Sequence, residues 1–132
     1  VHRIRGELGA VEAAALYDEE LAGVTLDLAL NGLGPDGHTA SLFPHAPGLE
    51  ETERRVIAAD GELEPFVPRV TMTLPVLNAG REVLFMVTGE GKAQAAARAF
   101  GGEPTSDVPA SLVRPPTLTV VLDPPAASQL NS

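Results

Sequence analysis

The chain has 132 residues, of which 44% are hydrophobic and 20% charged, and its formal net charge is −9. This composition predicts a folded core, and the acidic balance argues against a nucleic-acid-binding protein, because phosphate backbones are bound by clustered lysine and arginine. The chain has no cysteine, which excludes disulfides and fits a reducing, cytoplasmic compartment. No apolar run is long enough to span a membrane, and no secretory signal opens the sequence. Because the first residue is Val1 rather than methionine, we expect a truncated piece of a longer protein.

The first elements along the chain are a helix and a strand. The stretch GAVEAAALYDEELA is rich in helix formers, and Gly23 follows it as a stop signal. The residues expected near one face of this helix are Val11, Ala14, Ala15, Tyr17 and Leu21. The next stretch, VTLDLALNG, predicts a mostly buried strand. A glycine-rich loop follows and ends near Pro44 and Pro47.

The remainder of the chain continues the alternation. RRVIAAD and RVTMTL predict short strands, PVLNAG a short helix or turn, and EVLFMVTG a strongly buried strand. GKAQAAARAFGG predicts a helix closed by two glycines, and PASLV one helical turn in a longer loop. TLTVVLD predicts a further strand, and PPAASQL a last helix. Strands separated by helices predict an α/β fold with a mainly parallel sheet and helices on both faces. Residues 1–132 are expected to form one domain or part of one.

One segment carries the strongest functional signal. Residues 31–45 read NGLGPDGHTASLFPH and directly follow a predicted strand, where parallel α/β sheets bind their ligands. His38 is suited to proton transfer near neutral pH, and Asp36 can orient its imidazole. The same residues could instead form an ordinary turn, or contribute two metal ligands; no third ligand lies at helical spacing, so no metal is predicted. The glycines that permit close backbone approach are Gly32, Gly34 and Gly37.

Two cationic residues are candidates for binding an anion. Lys92 is the only lysine of the chain and lies in GEGKA, at the junction of a predicted strand and a predicted helix. A helix N-terminus favours an anion, and Lys92 would add a full positive charge there; it could instead be an ordinary solvated surface lysine. Arg69 follows a proline-bounded turn and begins a predicted strand, so it could contact phosphate oxygens or form a salt bridge. His2 and His45 have no supporting pattern and are interpreted as surface residues.

Several segments of the chain together resemble a known family. GLGPDGHTASLFP is similar to the signature of the 6-phosphogluconolactonase family, which shares a superfamily with the glucosamine-6-phosphate deaminases. Other similar segments follow in the family's order, so the resemblance covers almost the whole chain. They are AALYDEEL, LDLALNGLG, PRVTMTLPVLNAG, VLFMVTGEGKA and PASLV, followed by a final strand that ends at Asp123.

The resemblance implies a reaction and a set of roles. The reaction is hydrolysis of 6-phospho-D-glucono-1,5-lactone to 6-phosphogluconate, in the oxidative pentose phosphate pathway, without a metal, another cofactor or a covalent nucleophile. His38 matches the family's catalytic histidine, the general base that activates water, and Asp36 the acidic residue that orients it. Arg69 and Lys92 match positions that hold the substrate's phosphate. The expected partner is therefore a small phosphosugar lactone; no oligomeric state is predicted.

The resemblance also defines the alternatives. Deaminases are similar as far as DGH but continue with a glutamate that assists ring opening, where this chain has Phe43, so a deaminase is disfavoured. Family members have a further N-terminal half, with a glycine-rich phosphate loop and an arginine, which is absent from this sequence. We therefore expect a Rossmann-like sheet of the sugar-phosphate isomerase/lactonase type that lacks its N-terminal half and has one side unpaired. A non-catalytic remnant or phosphosugar-binding module is the alternative to an enzyme.

Overall fold

Helices and strands alternate along the chain in almost the predicted order. The computed structural model describes residues 1–130. Its helices are α1 (Ala10–Glu20), α2 (Leu74–Ala79) and α3 (Ala93–Gly101), and its strands are β1 (Leu28–Asn31), β2 (Val56–Ala59), β3 (Arg69–Met72), β4 (Glu82–Val87) and β5 (Thr117–Leu122). Short 3₁₀ turns lie at Gly6–Leu8, Pro47–Glu50, Glu90–Lys92 and Pro109–Leu112. No helix in this part of the chain is long and apolar enough to cross a membrane.

Three strands form a parallel sheet in the order β1-β4-β5. Strand β4 is central, and its Val83, Phe85 and Val87 are each at most 2% exposed. They pack in one cluster with the small residues of α3, which let the helix approach the sheet closely. Each fully buried side chain of this size contributes roughly 1.5–3 kcal/mol. The α/β class with a parallel sheet is confirmed.

Helices cover only one face of this sheet. On the opposite face Leu28, Leu30, Met86 and Val121 are each half or more exposed, so helices on both faces were wrongly predicted for this part of the chain. The prediction that β1 is mostly buried is wrong for the same reason. Strand β1 lies at the edge of the described sheet and pairs only with β4, and its alternate leucines point away from the α3 side. Alternation of apolar residues identified the strand but not which of its faces is covered.

A second, smaller unit adjoins the parallel sheet. Strands β2 and β3 pair antiparallel, and α1 packs on them through Ala14 and through Leu21, which directly follows the helix. The predicted face of α1 is only partly correct, because Val11 is 77% exposed and Ala15 is exposed. A two-stranded sheet is too narrow to cover the whole apolar side of the helix.

The predicted last helix does not form. Residues 124–130 fold into consecutive turns, and two of their three backbone hydrogen bonds join residues three apart, as in 3₁₀ turns. Prolines are compatible with the first turn of a helix, but the segment is too short to propagate one, so separate turns form instead.

Candidate active site

Two loops meet at the carboxyl ends of neighbouring strands. Residues 32–45 follow β1, and residues 88–92 follow β4, with which β1 is paired in parallel. Because parallel strands end at the same edge, the two loops lie side by side there. They border a cavity of about 450 Å³, within the usual size range for small-molecule sites. Its lining includes Gly32, Gly34, His38 and Lys92.

His38 and Asp36 form a hydrogen-bonded pair at this cavity. Oδ1 of Asp36 accepts the backbone N–H of His38 at 3.0 Å and lies 2.5 Å from the ring Nδ1. Because an ionised carboxylate only accepts hydrogen bonds, Nδ1 carries the proton and Nε2 the lone pair. The two side chains are only 20% and 27% exposed, so the pair is largely shielded from solvent. The arrangement presents a basic nitrogen with a fixed ring orientation.

Gly34 and Gly37 have distinct structural reasons to be glycine. A Cβ at Gly34 would lie 2.1 Å from Nδ1 and Cε1 of His38, so the imidazole rests directly on this backbone. Gly37 has φ +90°, and a Cβ there would lie 2.8 Å from Cγ1 of Val108. An added Cβ at Gly32 would meet nothing within 4 Å. Two of the three glycines predicted to support the loop are therefore required by its geometry.

A polar network that we did not predict holds the loop to the strand. The hydroxyl of Thr39, which is 1% exposed, donates to the carbonyl of Gly32 at 2.8 Å and accepts from Nδ2 of Asn31 at 2.9 Å. These bonds join both ends of the segment that carries Asp36 and His38. The sequence carries no local signal for this network, because the partners of Thr39 lie seven and eight residues before it.

Lys92 reaches from the second loop to the first. Its Nζ donates a hydrogen bond to the carbonyl of Leu33, between the strand β1 and Asp36. The lysine therefore lies at the cavity, and its ammonium has further N–H groups to donate.

Arg69 lies behind the site rather than along the described cavity. Its guanidinium carbon is 6.0 Å from the centre of the Phe43 ring, and that ring is in turn 4.6 Å from the ring of His38. One terminal nitrogen donates to the carbonyl of Pro65 at 2.7 Å and more weakly to that of Leu63 at 3.4 Å. Its Nε is buried without a hydrogen-bond partner. Phe43 itself is 1% exposed and forms a wall beneath His38.

Leu63 is a cavity residue that sequence reasoning missed. It lies in the loop between β2 and β3 and lines the cavity together with His38 and Lys92. Nothing in its local sequence, an acidic stretch before two prolines, distinguishes it from an exposed loop leucine. The hydrogen bonds from Arg69 to the carbonyls of Leu63 and Pro65 hold this loop, and Leu63 with it, at the cavity.

The other histidines lie outside the site. His2 pairs with Glu20, and His45 with Asp107, and both histidine side chains are well exposed. Among residues 1–130, no group of three or more histidine, aspartate or glutamate side chains could hold a metal ion.

Comparison with known proteins identifies the family. A family model described as glucosamine-6-phosphate isomerases/6-phosphogluconolactonase matches residues 1–122. A human protein named 6-phosphogluconolactonase is 44% identical over 121 residues, which are 86% of this chain and 47% of the human one. A protein of the same name from Streptomyces coelicolor is 43% identical over 129 residues, covering 89% of this chain and 49% of that one.

The fold agrees with that comparison. The crystal structure of 6-phosphogluconolactonase from Leishmania guyanensis matches with a TM-score of 0.80 and 26% sequence identity, over 94% of this chain and 54% of that chain. The chain thus spans about half the length of the relatives it matches. It belongs to the glucosamine-6-phosphate isomerase/6-phosphogluconolactonase family.

Proposed function

We propose that this chain carries the catalytic residues for hydrolysis of 6-phospho-D-glucono-1,5-lactone to 6-phosphogluconate, in the oxidative pentose phosphate pathway. The observation that carries the proposal is the shielded His38–Asp36 pair at the cavity, with Nδ1 engaged and Nε2 basic. The relatives named 6-phosphogluconolactonase, at 43–44% identity, support this reaction over others of the family.

In the proposed reaction His38 acts first as a base and then as an acid. Nε2 accepts a proton from water while the water oxygen forms a bond to the lactone carbonyl carbon C1. The carbonyl oxygen takes the negative charge in the tetrahedral intermediate. When that intermediate collapses, the bond from C1 to the ring oxygen breaks, and the imidazolium returns its proton to the departing oxygen. Asp36 holds the ring in one orientation throughout and stabilises the imidazolium.

The phosphate fixes the substrate so that C1 faces the base. We assign Lys92 to hold the phosphate, because it is the chain's one lysine and its ammonium lies at the cavity. Anchoring a remote group turns the reaction of a diffusing lactone into that of a positioned one. Arg69 as a second phosphate contact stays a prediction; its Nε is buried without a partner, and the guanidinium lies behind Phe43.

An amino-sugar deaminase is the disfavoured alternative within the family. Phe43 stands where the resemblance to deaminases would place a glutamate. In this fold the residue at that position is 1% exposed and packs against His38. An aromatic ring cannot transfer a proton, so hydrolysis is the better-supported reaction.

The test compares two histidines in a lactonase assay corrected for spontaneous hydrolysis. We expect the His38→Ala variant to lose about 10³-fold of the enzymatic acceleration, within the usual range for a general base. The His45→Ala variant, which removes a histidine of similar carboxylate pairing at the surface, is expected to stay within about twofold of the parent. Equal activities of the two variants would refute the role of His38.

The alternative is a phosphosugar-binding module without turnover. It predicts that the 132-residue chain binds 6-phosphogluconate in calorimetry yet does not accelerate lactone hydrolysis above buffer. Acceleration above buffer that disappears in His38→Ala rules this alternative out.

A further inference from the structure

Asp123 joins the ends of two strands through its carboxylate. It directly follows β5, and both its oxygens accept the backbone N–H of Gly89, at 3.0 and 3.1 Å. Oδ1 also accepts the N–H of Ala126 at 2.9 Å. The bond to Ala126 is a local turn bond, whereas the bonds to Gly89 cross 34 residues of sequence to the loop that follows β4.

Gly89 is the point from which the backbone leads to Lys92. It has φ +93°, in the left-handed region that favours glycine, and its carbonyl accepts the backbone N–H of Lys92 at 3.1 Å. The 3₁₀ turn Glu90–Lys92 directly follows Gly89, and all its residues are at least partly exposed. At its far end the turn continues into α3, whose first residue Ala93 is buried, so the bonds of Asp123 fix the other end of the turn, at Gly89.

From there the side chain of Lys92 spans to the carbonyl of Leu33, in the loop of His38. A lysine side chain has four flexible bonds, so its ammonium is fixed only if its backbone and its far end are both held. The carboxylate of Asp123 holds Gly89 by charge-assisted hydrogen bonds, which are stronger than those between neutral groups.

We propose that Asp123 is a positioning residue for Lys92: it fixes the Gly89–Lys92 turn so that the ammonium lies at the cavity beside His38. The consequence for phosphate affinity rests on the proposed function, in which Lys92 holds the substrate's phosphate. The proposal for the turn itself stands on the hydrogen bonds alone.

The single lysine makes the test direct. Protein labelled with ¹³C-lysine shows one lysine side chain in an NMR spectrum, so the environment of Lys92 is observed without assigning other residues. We compare Asp123→Ala and Asp123→Asn with Asp27→Ala as a matched control. Asp27 lies before β1, at the opposite end of the sheet, and pairs with Arg81 at the surface.

In the parent chain we expect a Lys92 signal distinct from that of a free lysine, which 6-phosphogluconate shifts and gluconate does not. In Asp123→Ala the signal is expected to move to the free-lysine position, and the Kd for 6-phosphogluconate to rise about tenfold, since hydrogen bonds to charged groups have that effect. Asp123→Asn keeps one carbonyl oxygen as an acceptor, so a smaller rise of about threefold is expected. Asp27→Ala should match the parent.

The outcomes separate the two proposals. A folded Asp123→Ala chain with the parent's Lys92 signal overturns the positioning role. If that variant does not fold, by circular dichroism, Asp123→Asn carries the test through hydrogen exchange of the Gly89 amide: faster exchange supports the role, and the parent's rate overturns it. If the parent itself binds no 6-phosphogluconate, the proposed phosphate site fails, and the positioning role is still judged on the Lys92 signal.

Discussion

Two histidine–carboxylate pairs of this chain have almost the same nitrogen–oxygen distance, one through Nδ1 of His38 and one through Nε2 of His45, but different surroundings. The distance is 2.5 Å in His38–Asp36 and 2.6 Å in His45–Asp107. The side chains of the first pair are 20% and 27% exposed, and those of the second 65% and 54%. His45 has partners at both ring nitrogens, because Oγ of Ser106 lies 3.2 Å from its Nδ1. Within residues 1–130, His38 is hydrogen-bonded through only one ring nitrogen.

The difference shows that a carboxylate partner does not by itself distinguish the proposed catalytic histidine from a surface one. His38 differs in lying on the backbone of Gly34, against the ring of Phe43 and at a cavity. These contacts fix the ring and leave Nε2 for a ligand, whereas the surface pair mainly joins two loops. Changing each of these contacts in turn tests how much it contributes to the position of His38 and to the activity.

The largest effect is expected from Gly34→Ala. The new Cβ would lie 2.1 Å from the ring of His38, so the imidazole must move away from its present position. We expect about a 10³-fold loss of lactonase activity, as for removal of the base, with the fold retained. The measurement is the rate above buffer, together with circular dichroism.

Gly32→Ala is the matched control for the position of the ring. Its Cβ meets nothing within 4 Å, so the NMR signals of the His38 ring should stay at their parent positions. If Gly34→Ala also leaves those signals and the activity unchanged, the ring of His38 does not lie against the backbone of Gly34 as described.

The next largest effect is expected from Asp36→Asn. The amide keeps the shape of the carboxylate but loses the charge that orients the ring and stabilises the imidazolium, so kcat should fall about 10²-fold. Asp107→Asn makes the same change in the exposed pair and should alter kcat by less than about twofold. Similar losses in both variants would remove the distinction between the pairs.

A smaller effect, on substrate affinity, is expected from Arg69→Ala. If the guanidinium contacts phosphate, KM for the phosphorylated lactone rises about tenfold, and the reaction of unphosphorylated gluconolactone changes little. Arg98→Ala, at an exposed weak ion pair, is the control. Equal losses for both lactones would show instead that Arg69 acts by holding Phe43 and the loop of Leu63.

The smallest effect is expected from Phe43→Leu. The ring is buried against His38, so the free energy of unfolding should fall by about 1 kcal/mol, measured by urea denaturation. Phe66 is 69% exposed, and Phe66→Leu should change the free energy of unfolding by less than about 0.5 kcal/mol. Equal changes would contradict the role of Phe43 as a wall of the site.

Most elements of the fold were predictable because their signals are local. The apolar pattern of EVLFMVTG and the alanines of GKAQAAARAFGG identified β4 and α3 without any knowledge of their partners. The pair of Asp36 and His38 was predictable for the same reason, since only Gly37 stands between them. The prediction of a last helix was wrong because the start signal was local, whereas the segment is too short to propagate a helix.

The sequence by itself determined the family, the α/β class, and the positions of the candidate base and the one lysine, because all of these are written in short contiguous motifs. The tertiary structure alone decided which face of the sheet is bare, that Phe43 lies beneath His38, and that Asp123 holds the turn of Lys92. These features depend on strand pairing and on contacts between residues far apart in the chain, such as the 34 residues from Gly89 to Asp123. Periodicity indicates that a residue is fit for burial, but only packing determines what it is buried against.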